Sequence, residues 1–394
     1  MTQPDSNYPE VIFSDTTLRD GEQMPGASLR AEEKVMIARA LADAGVRSID
    51  AGFPACAKSE VEAVRMVARE VEGAVISALC RTLASDIDAA AEAFSDTSRK
   101  RRAVSLFVST SPLHREFKLR KTKSELIEII TRSIEYARRF FDRVAFAPED
   151  ASNTEFPFLC EVYTAAIAAG ATTLGFPDTL GIMTPEKVRD TVRSLQDQVH
   201  GIDKVPLAGH FHNDLGLATA NTLAAISAGV NIVQCTVNGI GERAGNASLE
   251  EVALAIAMNP EQYQRKTSIK TSKLTALSRL VERLTGIRIS PNKAVVGTNV
   301  FATEAGIHQD GILKHPETYL PFPPELVGAE PVRFVLGKHS GRSAIAARLT
   351  ELGFELSGDQ LELVMQRVQD AEKAAWSNDQ LLLTHAVQEV VEVK

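Results

Sequence analysis

From about residue 11 to residue 260, short apolar runs alternate with longer stretches in which apolar residues recur every three or four positions. The short runs fall at 11–14, 48–52, 74–79, 103–108, 143–147, 172–176, 206–211 and 232–237, each the length of a buried strand. Segments such as 31–44, 123–139 and 184–195 carry the helical period between them. Serial strand–helix alternation predicts a parallel sheet. Eight such units over this length predict an α/β fold of the (β/α)8 TIM-barrel type. A doubly wound open sheet is the rival arrangement, but it would spread its strand ends along a line, whereas a barrel gathers them at one mouth.

The strand ends carry polar residues that only a shared mouth would use together. Asp20 follows the first strand, Glu149 the fifth and Thr179 the sixth; His210 and His212 end the seventh, and Asn246 follows the eighth. Beyond residue 260 the alternation stops. Helices are expected at 270–286, 341–353 and 358–376, with a proline-rich stretch from 290 to 335. The expected organisation is a barrel with closing helices over 1–290, a loop-rich subdomain over 291–330 carrying His308 and Tyr319, and a helical C-terminal subdomain over 331–394. Such an extension is too small for a large core of its own and should pack on the barrel or on a second chain.

Composition narrows the function. The chain has 394 residues, of which 44% are hydrophobic and 24% charged, with a formal net charge of −8. An acidic balance argues against a nucleic-acid surface, which needs a basic face. The basic cluster Arg99-Lys100-Arg101-Arg102 reads as a solvated loop. The four cysteines (Cys56, Cys80, Cys160 and Cys235) form no CxxC pair and are expected to be reduced. The polar N-terminus, residues 1–7, is no signal peptide, and no apolar run is long enough to cross a bilayer. A cytoplasmic enzyme without a membrane partner is expected.

Residues i and i+2 of a strand face the same side, so His210 and His212 can both point into the mouth. With Asp20 and Asn246 they offer two imidazoles and two oxygens, a first shell for a catalytic divalent cation such as Mg, Mn, Co, Fe or Zn. A structural zinc site would be closed by four ligands and would normally include cysteine. Arg19, beside Asp20, reads either as a rim salt bridge or as a clamp for a substrate carboxylate or enolate oxygen.

Five segments together resemble the 2-isopropylmalate synthase and homocitrate synthase family of metal-dependent Claisen-condensing enzymes: 15–26, 210–216, 238–251, Gly306-Ile307-His308-Gln309-Asp310-Gly311 and Gly337-Lys338-His339-Ser340-Gly341-Arg342. The resemblance implies a divalent metal, acetyl-CoA as co-substrate, a 2-oxo acid and a homodimer in which the C-terminal segment of one chain serves the partner's active site. It implies metal ligation by Asp20, His210 and His212, with Asn246 weaker or more distant. Arg19 matches the residue that contacts the 2-oxo acid, Thr179 a carboxylate-binding threonine, Glu149 a catalytic glutamate, and His308 and Tyr319 an acid/base pair. Gln23, Ser77, Ser105, Ala145 and Ala147 would surround the 2-oxo acid, and residues 239–245 would form one wall of the CoA pocket.

The chain departs from both best-known members of that family. Homocitrate synthases carry a basic residue on strand 5, a serine before Pro-Glu-Asp and a histidine on strand 3; Ala145, Ala147 and Ser77 stand there. Isopropylmalate synthases carry a histidine on strand 4, where this chain has Ser105. The expected substrate is therefore an apolar 2-oxo acid, 2-oxoisovalerate or a bulkier aliphatic or aromatic one. The alternatives are a homocitrate synthase using 2-oxoglutarate and a lyase of the same superfamily. No leucine-regulatory domain, and so no leucine feedback, is expected.

Overall fold

The computed structural model describes residues 7–371, 374, 376 and 378–392. The chain divides at residues 289 and 290 into two compact units. The first is the expected barrel. Its strands are β1 (Glu10–Asp15), β2 (Ser48–Asp50), β3 (Val75–Arg81), β4 (Arg102–Ser109), β5 (Val144–Glu149), β6 (Thr173–Asp178), β7 (Leu207–Phe211) and β8 (Ile232–Cys235). Each pairs in parallel with the next, and β1 pairs with both β2 and β8, so the sheet is closed rather than open. One helix follows each strand: α1 (Ala31–Asp43), α2 (Lys58–Glu70), α3 (Ala84–Ala93), α4 (Lys123–Ala137), α5 (Phe156–Ala168), α6 (Pro185–Gln198), α7 (Ala218–Ser227) and α8 (Leu249–Met258). A short α9 (Pro260–Tyr263), the edge strand β9 (Lys266–Thr267) beside β1, and α10 (Leu274–Thr285) complete this unit.

Local chemistry sets these boundaries. Thr122 accepts the Glu125 backbone N–H while the Glu125 carboxylate accepts that of Thr122, a reciprocal cap that starts α4. Thr184 caps α6 ahead of Pro185, whose fixed φ suits the first helical turn. The barrel's core lies between strands and helices. Ile76, Leu106, Phe146, Leu174, Phe176 and Phe211 point outward and are fully buried there.

Of the basic cluster, Arg99 and Lys100 are exposed as expected, but Arg101 and Arg102 are not solvated loop residues. Arg101 donates to the Ala68 and Val71 carbonyls at the end of α2, and Arg102 to those of Phe94, Thr97 and Phe140. Both side chains terminate helices whose last carbonyls need donors. Cys80 and Cys235 are buried and all four cysteines are free. Among the described residues no helix is long and apolar enough to cross a membrane. Residues 1–6, most of the segment read as lacking a signal peptide, lie outside the described residues.

The second unit has a parallel pair, β10 (Ala302–Thr303) and β11 (Arg333–Phe334), and four helices: α11 (Gly306–Lys314), α12 (Arg342–Glu351), α13 (Gly358–Asp370) and α14 (Asp379–Glu392). His308 lies on α11, where a loop was expected. The expected helix 358–376 ends at Asp370, and residues 372, 373 and 375 of it lie outside the described residues. The unit also has a core of its own. Leu383, Ala386, Val387 and Val390 of α14 join Ile345, Leu349, Val364 and Val368 of α12 and α13. Helix α14 is absent from the sequence reading because the contiguous run Leu381-Leu382-Leu383 hides its period.

Lys34 of α1 is fully buried and pairs with Glu22 at 2.7 Å and Glu60 at 2.6 Å. Glu22 belongs to the β1–α1 loop, so Lys34 ties that loop to the helical layer. Lys34→Met strands two partly buried carboxylates; it should lower the unfolding free energy by about 3 kcal/mol in chemical denaturation.

Candidate active site at the barrel mouth

The pairing of β1 with β8 sets the site's geometry. Asp15 lies opposite Cys235, and just beyond it the Thr16 N–H donates to the Cys235 carbonyl. The Thr17 hydroxyl accepts the Val237 N–H at 2.9 Å and donates to Asp15 at 2.9 Å. The chain then turns so tightly that the N–H groups of Arg19, Asp20 and Gly21 all donate to the Thr16 carbonyl. Asp20 is thereby delivered to the groups that end β7 and follow β8.

Asp20, His210 and His212 each offer a ligand atom, all within 4.8 Å of one another. The two imidazole Nε2 atoms are 3.0 Å apart. His212 Nδ1 lies 3.2 Å from the Gly245 carbonyl. A carbonyl only accepts, so Nδ1 carries the proton and the Nε2 lone pair is free. Burial pushes His210 down to about 3, aided by the neighbouring His212. Burial lowers His212 as well, against the pull of Asp20. Burial opposes charge on Asp20, but the Arg19 guanidinium beside it, aided by the Asn246 amide, outweighs it and holds its carboxyl well below the usual carboxylate range. The result is two neutral imidazoles and one carboxylate, the protonation states a divalent cation requires.

Asn246 lies behind this cluster. Its Nδ2 donates to Asp20 Oδ1 at 2.6 Å, while its own Oδ1 is buried without a partner, as is His210 Nδ1. Those orphaned atoms, with the facing Nε2 lone pairs, fit a site built around a cation. The Gly241 backbone passes so close that a Cβ there would sit 2.2 Å from Asn246 Nδ2 and 2.6 Å from Asp20 Oδ1, at a φ of +155°. Only glycine lets the 239–245 loop close over the cluster.

Arg19 is fixed from two sides. Nη1 donates to Asp20 at 2.6 Å and Nε to Asp50 at 2.8 Å. Burial works against its charge, but Asp50 and Asp20 raise its pKa above the usual value. Of the two readings of Arg19 the salt bridge is met; among the described residues its Nη2 takes no part in these two ion pairs. Thr179 Oγ1 accepts the Asp150 N–H at 2.9 Å, which frees its own proton for a ligand. Arg243 bridges the mouth by pairing with Asp214 at 2.8 Å and donating to the Thr179 carbonyl at 2.6 Å.

A cavity of about 1130 Å³ opens here, lined by Arg19, Asp20, Gln23, Glu149, Thr179, His210 and His212, and deeper by Ser77, Ser105, Ala145 and Ala147. His308 and Tyr319 belong to the second unit, where their ring centroids lie 4.1 Å apart with the planes tilted by 31°. Glu149 already has partners of its own: Lys118 at 2.9 Å from both carboxylate oxygens, and the Ser109 hydroxyl. The sequence reading omitted Lys118 and Asp50. Lys118 sits in a π-helical turn, His114–Leu119, that no periodicity announces. Asp50 was accessible to the same reasoning that found Asp20, since it ends β2.

The HMGL-like family matches residues 10–281, and a family described as homocitrate synthase post-HMGL domain-like matches residues 295–375. A 2-isopropylmalate synthase of Rhodopirellula baltica is 47% identical over 373 residues, covering 94% of this chain and 70% of that one. Those of Pyrococcus furiosus and Xanthomonas euvesicatoria are 47% and 46% identical, covering 92% and 93% of this chain and 72% and 70% of theirs. Among solved structures, a hydroxymethylglutaryl-CoA lyase of Bacillus subtilis matches with a TM-score of 0.60 at 21% identity, over 71% of this chain and 95% of that one. The carboxyl transferase domain of Rhizobium etli pyruvate carboxylase matches at 0.56 and 14%, over 98% and 61%. These two likenesses speak to the fold alone.

If the cluster binds a divalent cation, adding Mn or Zn to metal-stripped protein should raise its calorimetric unfolding midpoint. At a hundredfold excess over Kd the gain is about 2.7 kcal/mol. His210→Ala should abolish that gain.

Proposed function

We infer the reaction from one premise: this chain belongs to the HMGL-like family and is a relative of the 2-isopropylmalate synthases. It is an acyltransferase that condenses acetyl-CoA with a 2-oxo acid of apolar side chain, giving a 2-alkylmalate and CoA. The family is metal-dependent, and Asp20, His210 and His212 form a possible metal site. The observation that carries the reading is the buried Arg19, held between Asp50 and Asp20 beside two neutral imidazoles. A lyase of the same fold is less well supported, because the second segment also matches, over residues 295–375, a domain described from homocitrate synthases.

The proposed chemistry follows from the side chains. A divalent cation held by Asp20, His210 and His212 would supply Lewis-acid polarisation of the 2-oxo group. The Thr179 hydroxyl, its lone pair occupied by Asp150, donates to the substrate carboxylate. Arg19 directs Nη2 at the carbonyl oxygen, where negative charge grows as the new C–C bond forms. A base removes a proton from the acetyl methyl, and the resulting carbanion attacks C2 of the 2-oxo acid. The alkoxide takes up a proton, and water cleaves the thioester to release CoA. We assign the base and acid to His308 and Tyr319, supported by the close approach of their tilted rings and by the exposure of both. Lys118 and Ser109 orient Glu149 at the rim. A homocitrate synthase would need a cation for the distal carboxylate of 2-oxoglutarate, and Ser77, Ser105, Ala145 and Ala147 offer none.

The test is CoA release by purified protein with a divalent cation. It should require acetyl-CoA and a 2-oxo acid together, and 2-oxoisovalerate should outrun 2-oxoglutarate. Release of CoA from acetyl-CoA alone, or a preference for 2-oxoglutarate, would refute the assignment. Arg19→Lys keeps the charge but loses the fixed fork and should lower kcat by roughly a hundredfold.

The proposal includes a homodimer in which His308 serves the partner's barrel. Arg19→Ala and His308→Ala should each be inactive alone. Co-expressed in equal amounts they should regain about a quarter of the unsubstituted activity, because half the dimers are mixed and each mixed dimer holds one intact site. No regain would place His308 in the service of its own chain.

A further inference from the structure

We propose that the barrel interior is a shaft for the side chain of the 2-oxo acid, and that the enzyme takes 2-oxo acids with extended, uncharged side chains of up to roughly eight carbons, counted as a zigzag of ~1.5 Å bonds. This rests on the condensation assigned above and adds to it which substrates fit.

A barrel of this kind is normally filled by stacked layers of bulky side chains. Here the inward-facing residues are small and accessible. On β3, Ile76, Ala78 and Cys80 are buried under helices, while Val75, Ser77 and Leu79 face the interior and keep part of their surface. The same alternation runs along β4 and β5. Ile12 lies on β1 between two paired strands and is still 37% exposed. From β3 to β7 the strand register sets small residues side by side: Ser77 beside Ala103, Ser105 beside Ala145 and Gly175 beside Ala208, with Ala147 so near that a Cβ on Gly175 would sit 2.7 Å from its own. Their missing bulk is the cavity. Its 1130 Å³ exceeds the usual upper size of a small-molecule pocket, roughly 1,000 Å³.

The space is continuous with the mouth and reaches the opposite strand ends, where Glu10, Gly73, Arg143 and Pro206 line it. On β6 and β7 it passes from Pro177 and His210 down to Thr173 and Pro206. Four residues of strand, tilted as in such barrels, span roughly 11 Å of depth. The middle of the shaft holds no charge. Its hydroxyls are largely satisfied within the wall: Ser14 donates to Ser48 at 3.2 Å, and Ser77 to the Ile49 carbonyl at 3.4 Å. At the far end Arg101 is bound to carbonyls and Arg47 reaches Glu10, while Arg143 places an exposed cation there, below the uncharged stretch. An alkyl chain or a flat ring suits such walls, and a carboxylate halfway down would find no partner.

The experiment measures kcat/KM for pyruvate, 2-oxoisovalerate, 2-oxohexanoate, 2-oxooctanoate and 2-oxoglutarate, and calorimetric binding of each acid to the metal-loaded protein without acetyl-CoA. Binding should tighten about fourfold per added methylene, ~0.8 kcal/mol, through 2-oxooctanoate, the longest acid of the series and still within the shaft's reach. Ala103→Leu, which plugs the shaft below Ser105, should lower kcat/KM for 2-oxooctanoate roughly tenfold more than for 2-oxoisovalerate. Turnover of 2-oxoisovalerate with neither turnover nor binding of 2-oxooctanoate overturns the shaft and leaves the condensation standing. If no acid releases CoA, the condensation fails, and the calorimetric order by chain length still decides the shaft.

Discussion

The closure of β8 onto β1 is the pairing on which the site depends. Residues more than two hundred positions apart meet there, Asn246 against Asp20 above all. The contact is not a loop accident. Successive pairs from Ile12 with Ile232 to Asp15 with Cys235 fix the register, and Thr17 extends the lock past the last strand residue through Val237. A slip of one residue in β1 would turn Phe13, fully buried under the helices, into the barrel and move Asp20 away from the imidazoles. The core and the site are therefore specified by the same ladder.

On that frame the charges are arranged to be mutually necessary. Arg19 carries a permanent cation beside the imidazoles, and two carboxylates hold it. Burial raises Asp50 although Arg19 pulls the other way, so that pair stays ionised only together. Asp20 is shared between Arg19 and the histidines, and its charge is what makes two neutral imidazoles at 3.0 Å a cation site rather than a strained contact. Removing Arg19 would strand two buried carboxylates, which costs far more than the pairs contribute. Lys34 repeats this logic one layer out, where it anchors the loop that carries Arg19 and Asp20.

Much of this was legible in the chain. Strand positions and their closed order follow from period and count, and Asp20, His210 and His212 were identifiable because strand ends in a barrel share one mouth. What escaped detection lacks a period or a local motif. Lys118 reaches Glu149 from a π-helical insertion, and Arg102 and Arg101 cap helices distant in sequence while reading as a charged loop. Helix α14 is hidden by consecutive leucines that suggest no face. The hollow interior was only half visible. Ser77, Ser105, Ala145 and Ala147 announced a roomy pocket, but Ala103, Gly175 and Ala208 gain meaning only when the register sets them side by side.

That hollow also explains how a barrel can lack bulky interior layers and remain folded. The apolar area that stabilises this unit is on the other side of the strands, where Phe146, Phe176, Phe211 and Leu106 are completely covered by helices. Burial on that face follows the helical shell and is indifferent to what fills the interior. The inner face is then free of its usual packing duty. Each inward position from Ser105 to Ala208 can change size without opening a hole in the core, because the hole is already there. In such a barrel, stability and substrate choice are written on opposite faces of the same strands, at alternating residues.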